Sequence, residues 1–327
     1  MSSTESLDPE GDERRRQRRR RELVVQRRRR AAVVAMVVPL AAFVAGLMSG
    51  AGAGDSSSRP GGSDAAVLPD GERRIFPGHR VVAFYGAPQA AELGELGIGR
   101  PSSAVRRLRK QAAAYRRPGT PQLLGLELIA TIANASPGQD GLYRSQQEPE
   151  VIDRYLRAAR RAKALLILDV QPGRADFLSE AKRLRRWLEE PDVSLALDPE
   201  WRTPDAVPGQ VIGSVTSGEV NQVSDYVAQI VKRGDLPQKL LVLHQFTADM
   251  IQDPDQILPR RGLALTFNVD GFGDRPNKVS KYDSFARRPE TRRFHHGFKL
   301  FYKEDTNLMS PRQVLGLRPQ PRLVVYE

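Results

Sequence analysis

The amino-acid sequence predicts an α/β protein, a (β/α)8 TIM-like barrel preceded by one transmembrane helix. Three observations carry this. Eight short apolar runs follow Arg80, several of them apolar almost throughout, as strands buried on both faces require. Amphipathic stretches of helical period lie between them. Ahead of both, residues 31–48 form an uncharged apolar segment directly after an arginine-rich arm. An open doubly wound sheet is the alternative; the strand count and the missing Gly-x-Gly-x-x-Gly turn after the first strand weigh against it.

The N-terminal elements set the topology. Residues 1–30 hold eleven arginines against six acids, a cytoplasmic arm of charge +5. Residues 31–48 are long enough, at about 1.5 Å per residue, to cross most of the hydrocarbon layer, and Pro39 is tolerated in such a helix. The arginines abut this segment on one side only. The positive-inside rule therefore places the N-terminus in the cytoplasm and the remainder outside, a single-pass protein of the cell membrane. A cleaved signal peptide is the competing reading, with Ala51-Gly52-Ala53 as its site and a secreted product. Residues 49–74, rich in Gly, Ser, Pro and Asp, read as a flexible tether.

The barrel is assigned to residues 75–327. Its strands are expected at 81–85, 123–132, 164–170, 193–197, 211–215, 240–246, 263–269 and 298–302, with 323–326 a ninth strand or a tail along the base. Helices are expected at 102–116, 149–162, 175–189 and 217–233. Each aligns apolar residues on one face, such as Val220, Val223, Val227 and Ile230 in the last.

Composition narrows the chemistry. The chain of 327 residues has no cysteine, which excludes disulfides, thiolate metal sites and a cysteine nucleophile. Of its net charge of +12, the arm holds +5 and the remaining +7 is spread over almost 300 residues, so the barrel is only mildly basic and nucleic acid is not expected as a partner. No Gly-x-Ser-x-Gly elbow or His-Glu-x-x-His motif occurs, and Asp249, Asp253 and Asp255 lack the glycine and terminal glutamate of a calcium loop. No cofactor or metal is expected.

In this fold chemistry sits at the C-terminal ends of the strands. Three strands end in polar doublets spaced i, i+2: Asp169 and Gln171, Asp198 and Glu200, Asn268 and Asp270. Strand periodicity sends both members of a doublet to one side. Glu127, His244 and Tyr85 stand near the ends of other strands. Crowded carboxylates in a dry cleft cannot all ionise, so one becomes a proton donor beside an ionised partner, as glycoside cleavage requires. Glu200, Asp198, Asp169 and Asp270 are the expected catalytic groups. Trp201, Gln171, Asn268, His244, Glu127 and Tyr85 are the expected substrate contacts, Trp201 as a stacking face for a sugar. The same acids also suit turns and helix caps, the structural alternative. Residues 271–296, basic and aromatic, are expected to form a loop over the mouth or a solvated surface loop.

The segment Val193-Ser-Leu-Ala-Leu-Asp-Pro-Glu200 resembles the strand-four motif of family 18 chitinases, and its Asp-x-Glu resembles that of family 25 lysozymes. The resemblance implies a glycoside hydrolase with Glu200 as proton donor and Asp198 as its neighbour. Ser194 and Ala196 stand where the chitinase motif has acids. The domain as a whole resembles exported actinobacterial barrels of unassigned function. Together these imply a membrane-anchored, extracytoplasmic barrel acting on envelope polysaccharide or a peptidoglycan-like ligand, with lipid contacted through residues 31–48. The alternatives are a barrel that binds glycan or protein without turnover, and a metal-dependent phosphoester hydrolase.

Overall fold

In the computed structural model, which describes residues 65–327, eight strands pair in parallel and in chain order. They are β1 (Arg80–Gly86), β2 (Gln122–Ala133), β3 (Ala164–Val170), β4 (Val193–Leu197), β5 (Lys239–Gln245), β6 (Leu263–Val269), β7 (His295–Leu300) and β8 (Leu323–Tyr326). The sheet closes where β1 pairs with both β2 and β8, in registers such as Tyr85 with Glu127 and Ala83 with Val325. The helices are α1 (Pro101–Ala113), α2 (Pro149–Ala162), α3 (Phe177–Arg183), α4 (Arg185–Leu188), α5 (Ser217–Arg233), α6 (Arg275–Ala286) and α7 (Pro311–Val314). Every crossover carries an α-helix except β5 to β6, where only a 3-10 turn, Pro254–Gln256, stands. The protein is an eight-stranded parallel α/β barrel.

Local chemistry explains the helix starts. Asp176 accepts the Ser179 N–H at 2.7 Å ahead of α3, Thr216 accepts the Glu219 N–H ahead of α5, and Asp274 accepts the Asn277 N–H ahead of α6. Proline occupies the first turn of α1 and α2, where its missing N–H costs nothing. Lys163 ends α2 in the left-handed region at φ 53°.

Side chains alternate across the barrel wall. Val82, Phe84, Leu126, Leu166, Leu195, Leu241 and Leu265 face outward into a core shared with the helices. Val81, Ala83, Leu123, Leu165, Ile167, Leu240, Val242 and Val325 face inward and fill the lower interior. Each such side chain, taken out of water, contributes about 1.5–3 kcal/mol.

Four expectations are corrected. Residues 211–215 are not a barrel strand. Val211 is exposed, and Gly213 packs so closely on the carbonyls of Pro199 and Arg202 that the segment crosses the wall as a loop; only Val215–Thr216 pairs, with Ile251–Gln252. Its place is taken by β8, the run read as a ninth strand or tail, which seats between β7 and β1. Residues 271–296 are not one loop: α6 occupies twelve of them and packs Tyr282 and Phe285 into the outer core. The expected strand at 298–302 starts earlier, at His295, because Phe301 and Tyr302 turn away, Phe301 donating its N–H to Asp305. Residues 175–189 divide at Leu184 into α3 and α4.

Part of the expected tether is built into the domain. Leu68 is buried with Ile75 and Phe76 in the interior cluster, Arg73 pairs with Asp235 at 2.8 Å, and Gln238 accepts the N–H groups of Ile75 and Phe76. This segment plugs the N-terminal end of the barrel. The expected membrane span at 31–48 lies outside the described residues; among those described, no helix is long and apolar enough to cross a membrane.

Candidate functional site

The upper interior departs from the apolar filling below it. Seven strands, at or just past their C-terminal ends, and β2 near its middle deliver polar groups to this layer: Tyr85, Glu127, Asp169, Asp198, His244, Asn268 with Asp270, Lys299 and Glu327, in strand order. Periodicity explains most of them. Along β1 the inward series Val81, Ala83, Tyr85 ends in a phenol, and along β5 the series Leu240, Val242, His244 ends in an imidazole.

His244 is the hub. Its Nε2 lies 2.9 Å from Glu127 Oε1 and 3.9 Å from Asp169 Oδ1, and its Nδ1 lies 3.0 Å from Asp270 Oδ2. The contact between β5 and β2 spans the barrel, so it runs through the interior. Burial alone would favour the neutral imidazole, but the facing Glu127 and Asp270 carboxylates outweigh it and raise its pKa well above the usual range. Lys299 stands 3.7 Å from the centre of the Tyr85 ring and 3.2 Å from Asp270 Oδ2, with Glu327 at 2.8 Å. Burial opposes its charge; Asp270 and Glu327 restore it, and its pKa is raised.

The doublets behave unequally. Asp169 Oδ2 accepts from the Tyr85 hydroxyl at 3.0 Å, and Gln171 Nε2 donates to that hydroxyl at 3.0 Å, so both members meet one partner as strand geometry requires. Asn268 and Asp270 both reach His244, Asn268 through Nδ2 at 3.4 Å. Asp198 and Glu200 diverge, because the chain leaves β4 into a 3-10 turn, Pro199–Trp201, where Asp198 caps the Glu200 N–H at 3.3 Å. Trp201 ends that turn half-buried. The adjacent His295 and His296 point apart, His295 onto Phe76 and His296 toward Phe267.

The protonation pattern follows burial. Asp169 is raised well above the carboxylate range, first by burial, with the neighbouring Asp198 and Glu127 adding to it against the pull of His244. Asp198 is pushed up to about 7, again first by burial, then by Glu200 and Asp270. The layer therefore holds carboxylic acids that retain protons near neutrality beside ion pairs that do not. Glu127, Asp169 and His244 also bring one potential ligand atom each within 4.8 Å of one another, a set that could hold a metal ion.

Access is the main departure from expectation. Glu127, Asp169, His244 and Asn268 are wholly buried, and Asp198, Asp270 and Glu200 expose 8% or less. The loops above are tight: a Cβ on Gly94 would meet the Tyr85 carbonyl at 2.7 Å. A cleft of about 700 Å3 opens near the opposite pole, lined by Arg109, Arg116, Arg117 and Lys163, and none of the expected site residues borders it. The predicted groups thus share one cluster but no open groove. Lys299 and Glu327 complete that cluster and escaped the sequence reading; a lysine between Phe298 and Leu300 in a buried strand was the available signal. Asp305, past the end of β7, is engaged elsewhere: it accepts from Gly273 and Phe301 and pairs with Lys278 at 2.9 Å.

No family model and no curated protein matches the chain. Among solved structures it is similar to 7,8-dihydropteroate synthase from Vibrio fischeri (9% identity, 77% of this chain and 88% of that one, TM-score 0.37). It is also similar to 3-keto-D-glucoside 4-epimerase from E. coli (12% identity, 76% and 91%, TM-score 0.35). Likeness at this level carries nothing about reaction or substrate.

Proposed function

We propose that this chain is a membrane-anchored, extracytoplasmic barrel that acts on cell-envelope carbohydrate by general acid–base chemistry in the polar layer at its mouth. One observation carries the reading: all eight strands contribute a polar or ionisable group to one interior layer, in a place where apolar filling would be more stable. Buried charges are expensive to assemble, and such concentrations of shifted carboxylates mark reaction centres more often than scaffolds. The donor role falls to Asp198, whose proton persists to about pH 7, with Glu200 two residues away as its partner. Asp169 and Asp270 hold Tyr85 and His244, and Trp201 at the rim meets the sugar. The closed mouth limits the ligand to a chain end admitted as the loops part. The anchor at 31–48 and the outward-facing domain complete the proposal.

The test incubates the full-length protein in detergent with purified envelope polysaccharide and measures new reducing ends. Asp198→Asn should lower the rate by about 10²–10⁴-fold while the melting temperature holds. An equal rate in Asp198→Asn removes the assigned donor. The closed mouth favours a second reading, a barrel that binds glycan or a partner without turnover. Sedimentation with the polysaccharide and no reducing ends from any variant would select that one.

A further inference from the structure

The polar layer is short of positive charge. Five carboxylates, Glu127, Asp169, Asp198, Asp270 and Glu327, face Lys299 and His244 as its cationic groups, with Glu200 beside them. Two oxygens stand out. Glu127 Oε2 and Asp169 Oδ1 are buried and accept no hydrogen bond from any protein group, although their side chains are wholly out of solvent. Polar atoms so placed nearly always have a partner, so both point to an electropositive group in the space they share with His244.

The geometry suits a metal ion. Ligand atoms held about 2.1 Å from one ion lie about 3.0 Å apart at a right angle and about 3.4 Å apart at a tetrahedral angle. His244 Nε2 is 2.9 Å from Glu127 Oε1 and 3.9 Å from Asp169 Oδ1, so a small shift of Asp169 brings all three into range. The support behind the ring is also in place. Asp270 faces Nδ1 at 3.0 Å and turns Nε2 toward the two carboxylates, the arrangement in which a carboxylate orients a metal-ligating histidine. The three side chains come from β2, β3 and β5, rigid elements that fix a site better than loops do.

We propose that Glu127, Asp169 and His244 bind one divalent first-row transition-metal ion, with Asp270 as the positioning residue behind His244. One imidazole nitrogen and carboxylate oxygens, with no thiolate, favour Mn2+, Fe2+ or Zn2+ over soft monovalent copper. Binding releases the Nε2 proton of His244 to solvent and replaces the direct contact between His244 and Glu127 by two bonds to the ion. It occupies Glu127 Oε2 and Asp169 Oδ1 and offsets the surplus of negative charge. Water fills the remaining positions. The proposal stands apart from the carbohydrate reading, and its test needs no substrate.

Full-length protein in detergent is stripped with a chelator, then equilibrated with Mn2+ and, separately, Zn2+ at millimolar concentration and desalted. Metal per chain is counted by mass spectrometry, and the Mn2+ sample is followed by electron paramagnetic resonance. One ion per chain is expected, with a melting temperature raised by about 5 °C once the metal exceeds its Kd about 100-fold. Glu127→Gln and Asp169→Asn should each abolish retention, and Asp270→Asn should weaken it about 10- to 100-fold. Asp169→Asn keeps the shape of a side chain that burial already holds protonated, so its metal-free melting temperature should match the wild type and show that the fold survives, while Glu127→Gln takes a partner from His244 and should melt lower. Retention of no ion by the wild type, or equal retention in both ligand variants, overturns the proposal.

Discussion

Lys239, at the base of β5, offers a sharp test of how this barrel tolerates buried charge. Its side chain is fully buried, and its Nζ donates to the carbonyls of Glu190 at 2.6 Å and Val193 at 2.7 Å. Burial lowers its pKa to about 7, with Asp192 and Glu190 opposing only in part. A neutral amine retains two N–H donors, enough for both carbonyls. Between about pH 7 and the unperturbed value of 10.5 the unfolded chain therefore holds a proton that the folded chain lacks. Stability must rise with pH across this window, by about 1.4 kcal/mol per unit and on the order of 5 kcal/mol in all. Below pH 7 both states are protonated and the penalty is at its full value. Lys239→Met deletes the titration and leaves two carbonyls unmet, at a cost of about 1–3 kcal/mol each. The variant should match or exceed the wild type below pH 7 and fall behind it near pH 10. Urea unfolding of both proteins, followed through Trp187 and Trp201, reads the difference while other titrating groups cancel. A wild-type minus variant difference that stays flat over this range refutes the argument.

Two further perturbations probe the site and its wall. Gly297→Ala on β7 would place a Cβ 2.5 Å from Asn268 Oδ1 and 3.1 Å from the Leu323 Cβ, pushing Asn268 toward His244. A loss of about 1–3 kcal/mol in urea unfolding is expected, and an unchanged midpoint would show that the layer yields easily. Glu180, wholly buried, accepts from Arg144 at 2.9 Å and also holds Gln146. Glu180→Ala should cost roughly 3–5 kcal/mol by stranding the half of Arg144 that Asp140 does not reach, read as a lower midpoint at constant slope.

Much of this architecture was legible because strands buried on both faces write themselves as apolar runs. Six of the expected strands fall at or within two residues of their observed places. The misassignment of 211–215 has a definite origin: Val-Ile-Gly-Ser-Val matches a strand in composition, and only tertiary packing of Gly213 reveals a loop. The short β8 run lacked a following helix to mark it as a barrel unit. At the site, Asp169, Gln171, Asn268 and Asp270 were readable because strand period two continues to the strand's end. Asp198 and Glu200 diverge instead, because the chain leaves the strand into a 3-10 turn that the period does not describe. Lys299 was hidden by the habit of reading lysine as exposed, and the partners that make its burial tolerable, Asp270 and Glu327, come from other strands.

The plug beneath the barrel gives the domain a direction. Because Leu68, Ile75 and Phe76 fill the N-terminal pole, the described chain begins at the face opposite the polar layer. A body held by that pole presents its reactive end away from whatever holds it. The basic cleft beside Arg116 and Arg117 lies near that plugged pole, so the strongly cationic surface and the polar layer occupy opposite ends of the barrel.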